Sequence, residues 1–145
     1  MNAMLDPRLT GLQNLERLRD SGGQAPLGSL LDFRLVDVGD GYAVFEGNPG
    51  PEHYNPAGTV HGGWISSILD SALGCAIHSR LEAGQSYTTV ELKVNMVRAV
   101  TDQTGLVAAR GAVIHLGRRV ATSDARLETA NGRLLAHGSC TCMIL

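Results

Sequence analysis

Between Trp64 and Leu81 the chain is apolar around most of a helical circumference, although Ser66, Ser67, Asp70, Ser71 and His78 interrupt it. A helix of that kind must be covered nearly all round. The segments on either side supply the cover. Leu30–Val38 and Tyr42–Gly47 read as strands joined at the turn Asp40-Gly41. Downstream, Thr88–Val97, Leu106–Leu116, Arg119–Glu128 and Leu134–Ile144 read as four more strands, with turns at Leu116-Gly117-Arg118 and Asn131-Gly132. The first of these alternates, placing Val90, Leu92, Val94 and Met96 on one face and Glu91, Lys93 and Asn95 on the other. Strands that bury one face and a helix that must be buried all round predict an α+β architecture, a single antiparallel sheet wrapped around the central helix.

Ahead of this lies a helical period from Asp6 to Asp20, with Leu9, Leu12, Leu15 and Leu18 at spacings of three and a stop at Ser21-Gly22-Gly23. Ala83-Gly84-Gln85 closes the central helix. There are no repeats and no linker, so residues 1–145 read as one domain, with 1–25 as an N-terminal helix and connector and about 27–143 as the core.

Composition narrows the function classes. A formal net charge of -2, with basic residues scattered until Arg118-Arg119, argues against nucleic acid as a partner. No run is long and apolar enough to span a bilayer, and Met1–Pro7 carries no basic segment leading into an apolar one, so the expectation is a cytoplasmic chain with no membrane partner. Cys75, Cys140 and Cys142 form neither a disulfide framework nor zinc-ligand spacing. His53, His61, His78, His115 and His137 are dispersed, and no phosphate-cradling GxxxxGK[ST] loop is present, so neither a metal nor a cofactor is expected.

The chemistry gathers where the central helix begins. Asn55-Pro56-Ala57-Gly58-Thr59-Val60-His61-Gly62-Gly63-Trp64 is a glycine-punctuated loop, and Asp70 follows seven residues after Gly63. A helix that starts on glycines offers bare backbone N–H groups at its positive end, suited to an oxyanion. A carboxylate two turns on can serve as base or nucleophile. Gly62 is therefore the candidate oxyanion donor, with Gly63 assisting it or permitting close approach. Asp70 shares a helical face with Ser66, Ser67, Gly74 and His78. Asn55 either orients water and a carbonyl or makes an Asx-turn ahead of Pro56. His61 either braces the loop through a helix-start hydrogen bond or polarises a carbonyl.

Asn55, Gly58, His61-Gly62-Gly63 and Asp70, in that spacing and element order, resemble the hotdog-fold thioesterases, in the branch of the phenylacetate-pathway thioesterase and the mammalian thioesterase superfamily member 2. Thr89-Val90-Glu91-Leu92-Lys93-Val94-Asn95, Gly117-Arg118-Arg119-Val120 and Gly132-Arg133-Leu134-Leu135-Ala136 resemble that family's later strands and hairpins. The resemblance implies a five- or six-stranded sheet around the long helix, here with an extra N-terminal helix. It implies a dimer or dimer of dimers, with each site built from two subunits. The implied activity is hydrolysis of acyl-CoA thioesters, aryl-acetyl or medium-chain, to free acid and CoA, where CoA is part of the substrate. Asp70, Gly62, Asn55, His61 and Thr89 are then the catalytic candidates. Gly63, Ser67, Arg98, Arg118 and Arg119 are the candidates for binding substrate and CoA phosphates. Acyl specificity is expected from the Pro49–Pro56 loop and the N-terminal helix. The other readings are a hotdog hydratase or dehydratase and a non-catalytic acyl-CoA-binding module.

Overall fold

The computed structural model describes residues 4–145; Met1 to Ala3, part of the segment read above for a leader, lie outside the described residues. In chain order the elements are α1 (Gly11–Asp20), α2 (Pro26–Leu31), β1 (Phe33–Gly39), β2 (Tyr42–Gly47), a 3-10 turn at Pro51–His53, α3 (Gly62–His78), β3 (Tyr87–Met96), β4 (Val107–Leu116), β5 (Val120–Thr129) and β6 (Leu134–Ile144). The six strands form one sheet in the order β1-β2-β4-β5-β6-β3, every neighbouring pair antiparallel. This is the wrapped α+β architecture that the sequence predicts.

The wrapping is physical. Ile68, Leu69, Ala72, Leu73, Ala76 and Ile77 of α3 are completely buried. The strands that cross closest to them carry small residues on the inner face: Ala109 and Gly111 on β4, Ala121, Ser123 and Ala125 on β5. A Cβ at Gly111 would collide with the Ala72 carbonyl, lying 2.6 Å from its carbon and 3.0 Å from the Leu73 nitrogen. Helix backbone thus lies directly on strand backbone there. Ser123 stays in this dry layer because its hydroxyl donates to the Leu73 carbonyl at 3.0 Å. Larger side chains fill the ends, where Phe33, Phe45 and Trp64 meet edge to face.

Three local readings are corrected. The N-terminal helix starts at Gly11, not Asp6. Thr10 caps it with a reciprocal pair, its hydroxyl accepting from Gln13 N while the Gln13 amide oxygen accepts from Thr10 N, and Asp6–Leu9 form a turn before it. The strand expected from Leu30 starts at Phe33, because Pro26 opens the short helix α2 at a position where its missing N–H costs nothing. Asp32 then leaves that helix in the left-handed region (φ 53°). The alternation on β3 is broken by a bulge: Thr89 pairs with Cys142 and Glu91 with Thr141, so Val90 is an unpaired extra residue.

One feature of the sheet bears on function. β3 lies at its end, bonded to β6 on one side only, and the exposed side chains on it include Val90, Leu92 and Met96. A long edge strand with apolar side chains is a template for another chain. Gly111→Ala is expected to destabilise the fold by about 1–3 kcal/mol, the usual cost of overpacking. Ala112→Ser, one residue on and exposed, should stay within about 0.5 kcal/mol of wild type. Urea unfolding midpoints read both.

Candidate active site

The loop that leads into α3 is held from several directions. Asn55 N donates to Thr59 O at 2.8 Å, Val60 N to Val100 O at 2.9 Å, and His61 N to His53 O at 2.7 Å. Tyr54 Oη donates to Asp102 Oδ1 at 2.6 Å and accepts from Asp102 N at 3.0 Å, clamping the loop to the β3–β4 connection. The Tyr54 hydroxyl holds the Asp102 carboxyl below its ordinary range.

His61 is the N-cap of α3, and its Nδ1 accepts the Gly63 N–H at 2.7 Å. This is the bracing role. Capping thus occupies the Gly63 N–H. The Gly62 N–H has no intrahelical acceptor and takes part in none of the turn and cap hydrogen bonds around it. Among the described residues nothing accepts from it, which leaves it free at the positive end of the helix. A Cβ on Gly62 would lie 2.7 Å from Met96 Cε, so the Met96 side chain of β3 roofs this position.

Asn55 makes the Asx-turn: its Oδ1 accepts from Ala57 N at 2.9 Å, and one Nδ2 hydrogen goes to Thr59 Oγ1 at 3.0 Å. An amide nitrogen has two hydrogens, so one remains for a ligand. Asn55, Gly62, Met96 and Arg98 line a common pocket of about 270 Å³.

Asp70 is half-buried on α3 and accepts from Thr89 Oγ1 at 3.1 Å. The hydroxyl orients the carboxylate from the strand beneath the helix. Asp70 does not open into the Asn55–Gly62 pocket. It lines a separate pocket of about 190 Å³ with Ser71, Cys75, Tyr87, Leu18 and Phe33. Eight residues of helix separate Gly62 from Asp70, a rise of about 12 Å. The two halves of the chemistry therefore do not converge within one protomer. Ser67 is also apart: its hydroxyl donates to Gly63 O at 2.8 Å and it lines neither pocket.

Cys75 tests whether a thiolate could act beside Asp70. Burial, with a contribution from the Asp70 charge, pushes its thiol up to about 12, which disfavours the thiolate. Among the described residues no three His, Cys, Asp or Glu side chains gather as a metal site requires, and no helix is long and apolar enough to cross a membrane.

Of the candidate cations, Arg98 alone lies beside Gly62; its Nη1 donates to Leu134 O at 2.6 Å. It also borders a groove of about 660 Å³ with Arg133, Gln103 and Asn131. Arg118 and Arg119 are exposed in the β4–β5 turn, where Arg119 O accepts from Ile144 N opposite Tyr87. That is the other end of β3 from Arg98. Met96, Arg133 and Tyr87 were not singled out from sequence. Nothing in their spacing points to them, because each meets the site only through strand register.

Residues 57–136 match the thioesterase superfamily profile. An Archaeoglobus fulgidus protein named a candidate esterase is 30% identical over 125 residues, 86% of this chain and 79% of that one. A Listeria monocytogenes 1,4-dihydroxy-2-naphthoyl-CoA hydrolase is 23% identical over 77% of this chain and 89% of its own length. Among solved structures, a thioesterase family protein from Silicibacter pomeroyi superposes with TM-score 0.79 at 28% identity, covering 90% of this chain and 96% of that one. A mutant of the phenylacetic acid degradation protein PaaI from Thermus thermophilus does so with TM-score 0.74 at 27% identity, covering 82% and 98%.

If His61 is a brace, His61→Ala should cost about 1 kcal/mol, the typical value of an N-cap. The Gly63 amide should then lose hydrogen-exchange protection. His61→Asn, which can also cap, should restore both. Loss of protection in His61→Asn as large as in His61→Ala would show that capping is not what the imidazole provides.

Proposed function

The chain belongs to the thioesterase superfamily, and we propose that it hydrolyses acyl-CoA thioesters to free acid and CoA at sites shared by two copies of itself. The observation that carries this is the split described above. A free oxyanion donor and an oriented carboxylate sit about 12 Å apart on one helix, and the edge strand running beside both, β3, is unpartnered.

Pairing of β3 with its own copy resolves the split. A two-fold axis through the middle of an edge strand makes an antiparallel pair. The Met96 end of one β3 then lies against the Tyr87–Thr89 end of the other. Met96 marks Gly62, and Thr89 marks Asp70. The operation thus brings the partner subunit's Asp70 towards the Gly62 and Asn55 of the first copy. It also brings the partner subunit's Arg118 and Arg119 to the end of β3 where Arg98 and Arg133 lie, so that cations from both chains flank the CoA phosphates.

In the resulting mechanism the thioester carbonyl accepts from Gly62 N–H and the spare Asn55 Nδ2 hydrogen. Negative charge gathers on that oxygen as the carbonyl carbon becomes tetrahedral, and the helix N-terminus stabilises it. The partner subunit's Asp70 takes a proton from water as hydroxide adds to carbon, or its carboxylate adds directly. Collapse breaks the C–S bond and the CoA thiolate leaves; on the first route it takes up the proton held by Asp70, and on the second it takes one from solvent, after which water opens the Asp70–acyl anhydride to free acid and carboxylate. Solvent oxygen-18 in a single turnover separates the two routes: label recovered in the Asp70 carboxylate marks the covalent one. The acyl groups proposed are aryl-acetyl and medium-chain, because the pocket beside Asp70 is walled by Leu18, Phe33, Phe45 and Tyr87.

Thiol release from a panel of acyl-CoAs, acetyl to palmitoyl with phenylacetyl and benzoyl, tests the activity. Turnover should fall by about a hundredfold or more in Asp70→Asn, the scale of losing such a group. The shared site has its own test. Asp70→Asn and Gly62→Val should each be inactive alone. Co-expressed, they should recover about a quarter of wild-type activity, since half of randomly paired dimers are mixed and each mixed dimer holds one intact site. No recovery, with mixed dimers demonstrated, rules out a site shared across the interface.

A further inference from the structure

The connection between β3 and β4 serves two parts of the site at once. Arg98, Gln103 and Thr104 wall the groove of about 660 Å³. Interleaved with them, Val100 and Asp102 hold the loop before α3 by both of its stems. Val100 O accepts from Val60 N at 2.9 Å, and Asp102 meets the Tyr54 hydroxyl. Tyr54 and Val60 also bridge to each other, which closes the turn between them at its base. The connection is itself a closed turn: Thr101 N donates to Thr104 Oγ1 at 2.9 Å, and Thr104 N returns to Thr101 O at 3.0 Å.

A chain of hydrogen bonds runs from the groove to the loop. Gln103 Nε2 donates to Asp102 Oδ2 at 3.1 Å. The other carboxylate oxygen, Oδ1, accepts from Tyr54 Oη at 2.6 Å, and Tyr54 directly precedes Asn55. The Tyr54 oxygen accepts in turn from Asp102 N at 3.0 Å, so the hydroxyl gives both its donor and an acceptor site to Asp102. Bonding to the carboxylate raises the pKa of the Tyr54 phenol, as such a donor requires. The Asn55 side chain is bonded only within its own turn, to Ala57 N, Thr59 N and Thr59 Oγ1. Where its amide lies relative to Gly62 therefore depends on what holds the stems. Arg98 and Ala99 line both the groove and the pocket of Asn55 and Gly62, so a ligand that fills the one reaches the other along this connection.

We propose that Tyr54 and Asp102 are positioning residues that tie Asn55 to the groove, so that the nucleotide end of CoA, seated against the connection, speeds the chemical step at the thioester. This rests on the hydrolase reading above. Binding energy from an unreactive part of a substrate raises the rate only where it is used to place groups for the transition state. The group placed here is the Asn55 amide, which must lie within about 0.5 Å of its productive position to act on the carbonyl oxygen. Contact of the phosphates with Arg98 and of the nucleotide with Gln103 settles the connection, and the Asp102–Tyr54 pair carries that placement to Asn55.

The test compares the best acyl-CoA of the panel with the acyl-pantetheine of the same acyl group, which keeps the thioester and lacks the nucleotide. The quantity measured is the single-turnover rate constant at saturation, which reports the chemical step and not affinity. In the wild type it should fall by about tenfold on truncation, the scale of one hydrogen bond. Tyr54→Phe, which removes only the hydroxyl, should slow the CoA ester and leave the pantetheine ester nearly unchanged, so that the ratio drops towards one. Asp102→Ala should do the same. Asp102→Asn, whose amide oxygen still accepts from the phenol, should keep most of the ratio. A merely structural loosening of the loop slows both esters alike and leaves the ratio as it was. That result, or equal wild-type rates on the two esters, which needs no variant to establish, overturns the proposal and leaves the hydrolase reading intact. No turnover of any thioester overturns both.

Discussion

Everything in this structure depends on how closely the sheet approaches α3. The helix is apolar over nearly all its surface, so it is stable only when covered, and the cover is a curved sheet whose middle strands carry glycine and alanine where the helix backbone touches them. The contact at Gly111 fixes the helix axis against β4, and the Ser123 hydroxyl bonded to Leu73 O fixes its position along that axis. With axis and register set, the positions of Gly62, Asp70 and His78 follow from helix geometry alone. The site is thus placed by the core, and loops only refine it.

The central helix, the six strands and the small-residue turns were legible in the sequence because each rests on periodicity or on turn chemistry local to a few residues. The candidates Gly62, His61 and Asp70 came from one short run. The Thr10–Gln13 capping pair and Pro26 were local signals too, and they correct the starts of α1 and β1. What sequence could not show depends on register between distant segments. Thr89 reaches Asp70 because of where β3 lies under α3, and the bulge at Val90 shifts the alternation along the rest of that strand. Met96 over Gly62 and Tyr87 beside Cys75 have the same origin. Of the two readings of His61, the bracing one is visible only in the geometry, which places Nδ1 on Gly63 N–H.

The exposed β3 edge and the split site are one fact seen from two sides. A catalytic donor and a carboxylate on the same helix are held apart by its rigidity, about 1.5 Å per residue, and no rearrangement of side chains closes two turns. On the proposed reading, a fold that places both groups on one helix needs a second helix, running the opposite way, to complete either half. An edge strand related to its copy by a two-fold axis supplies that antiparallel relation without any further device. Edge strands in monomers are protected by charge, proline or a bulge. β3 carries the bulge near one end, yet its remaining ladder from Glu91 to Met96 is regular, long enough to pair.

On this arrangement α3 acts as a ruler. From Gly62 to Asp70 it carries the proposed donor and carboxylate; from Asp70 to His78 it lines an apolar cavity. The second segment is covered by α1, whose Leu15 and Leu18 close the cavity and whose start is pinned by Gly11 N donating to Leu81 O. A Cβ at Gly11 would strike the His78 carbonyl, so α1 is seated directly on the turn that bears the imidazole. Changes in α1 therefore alter the far end of the cavity without touching the hydrogen bonds around Gly62 or Asp70.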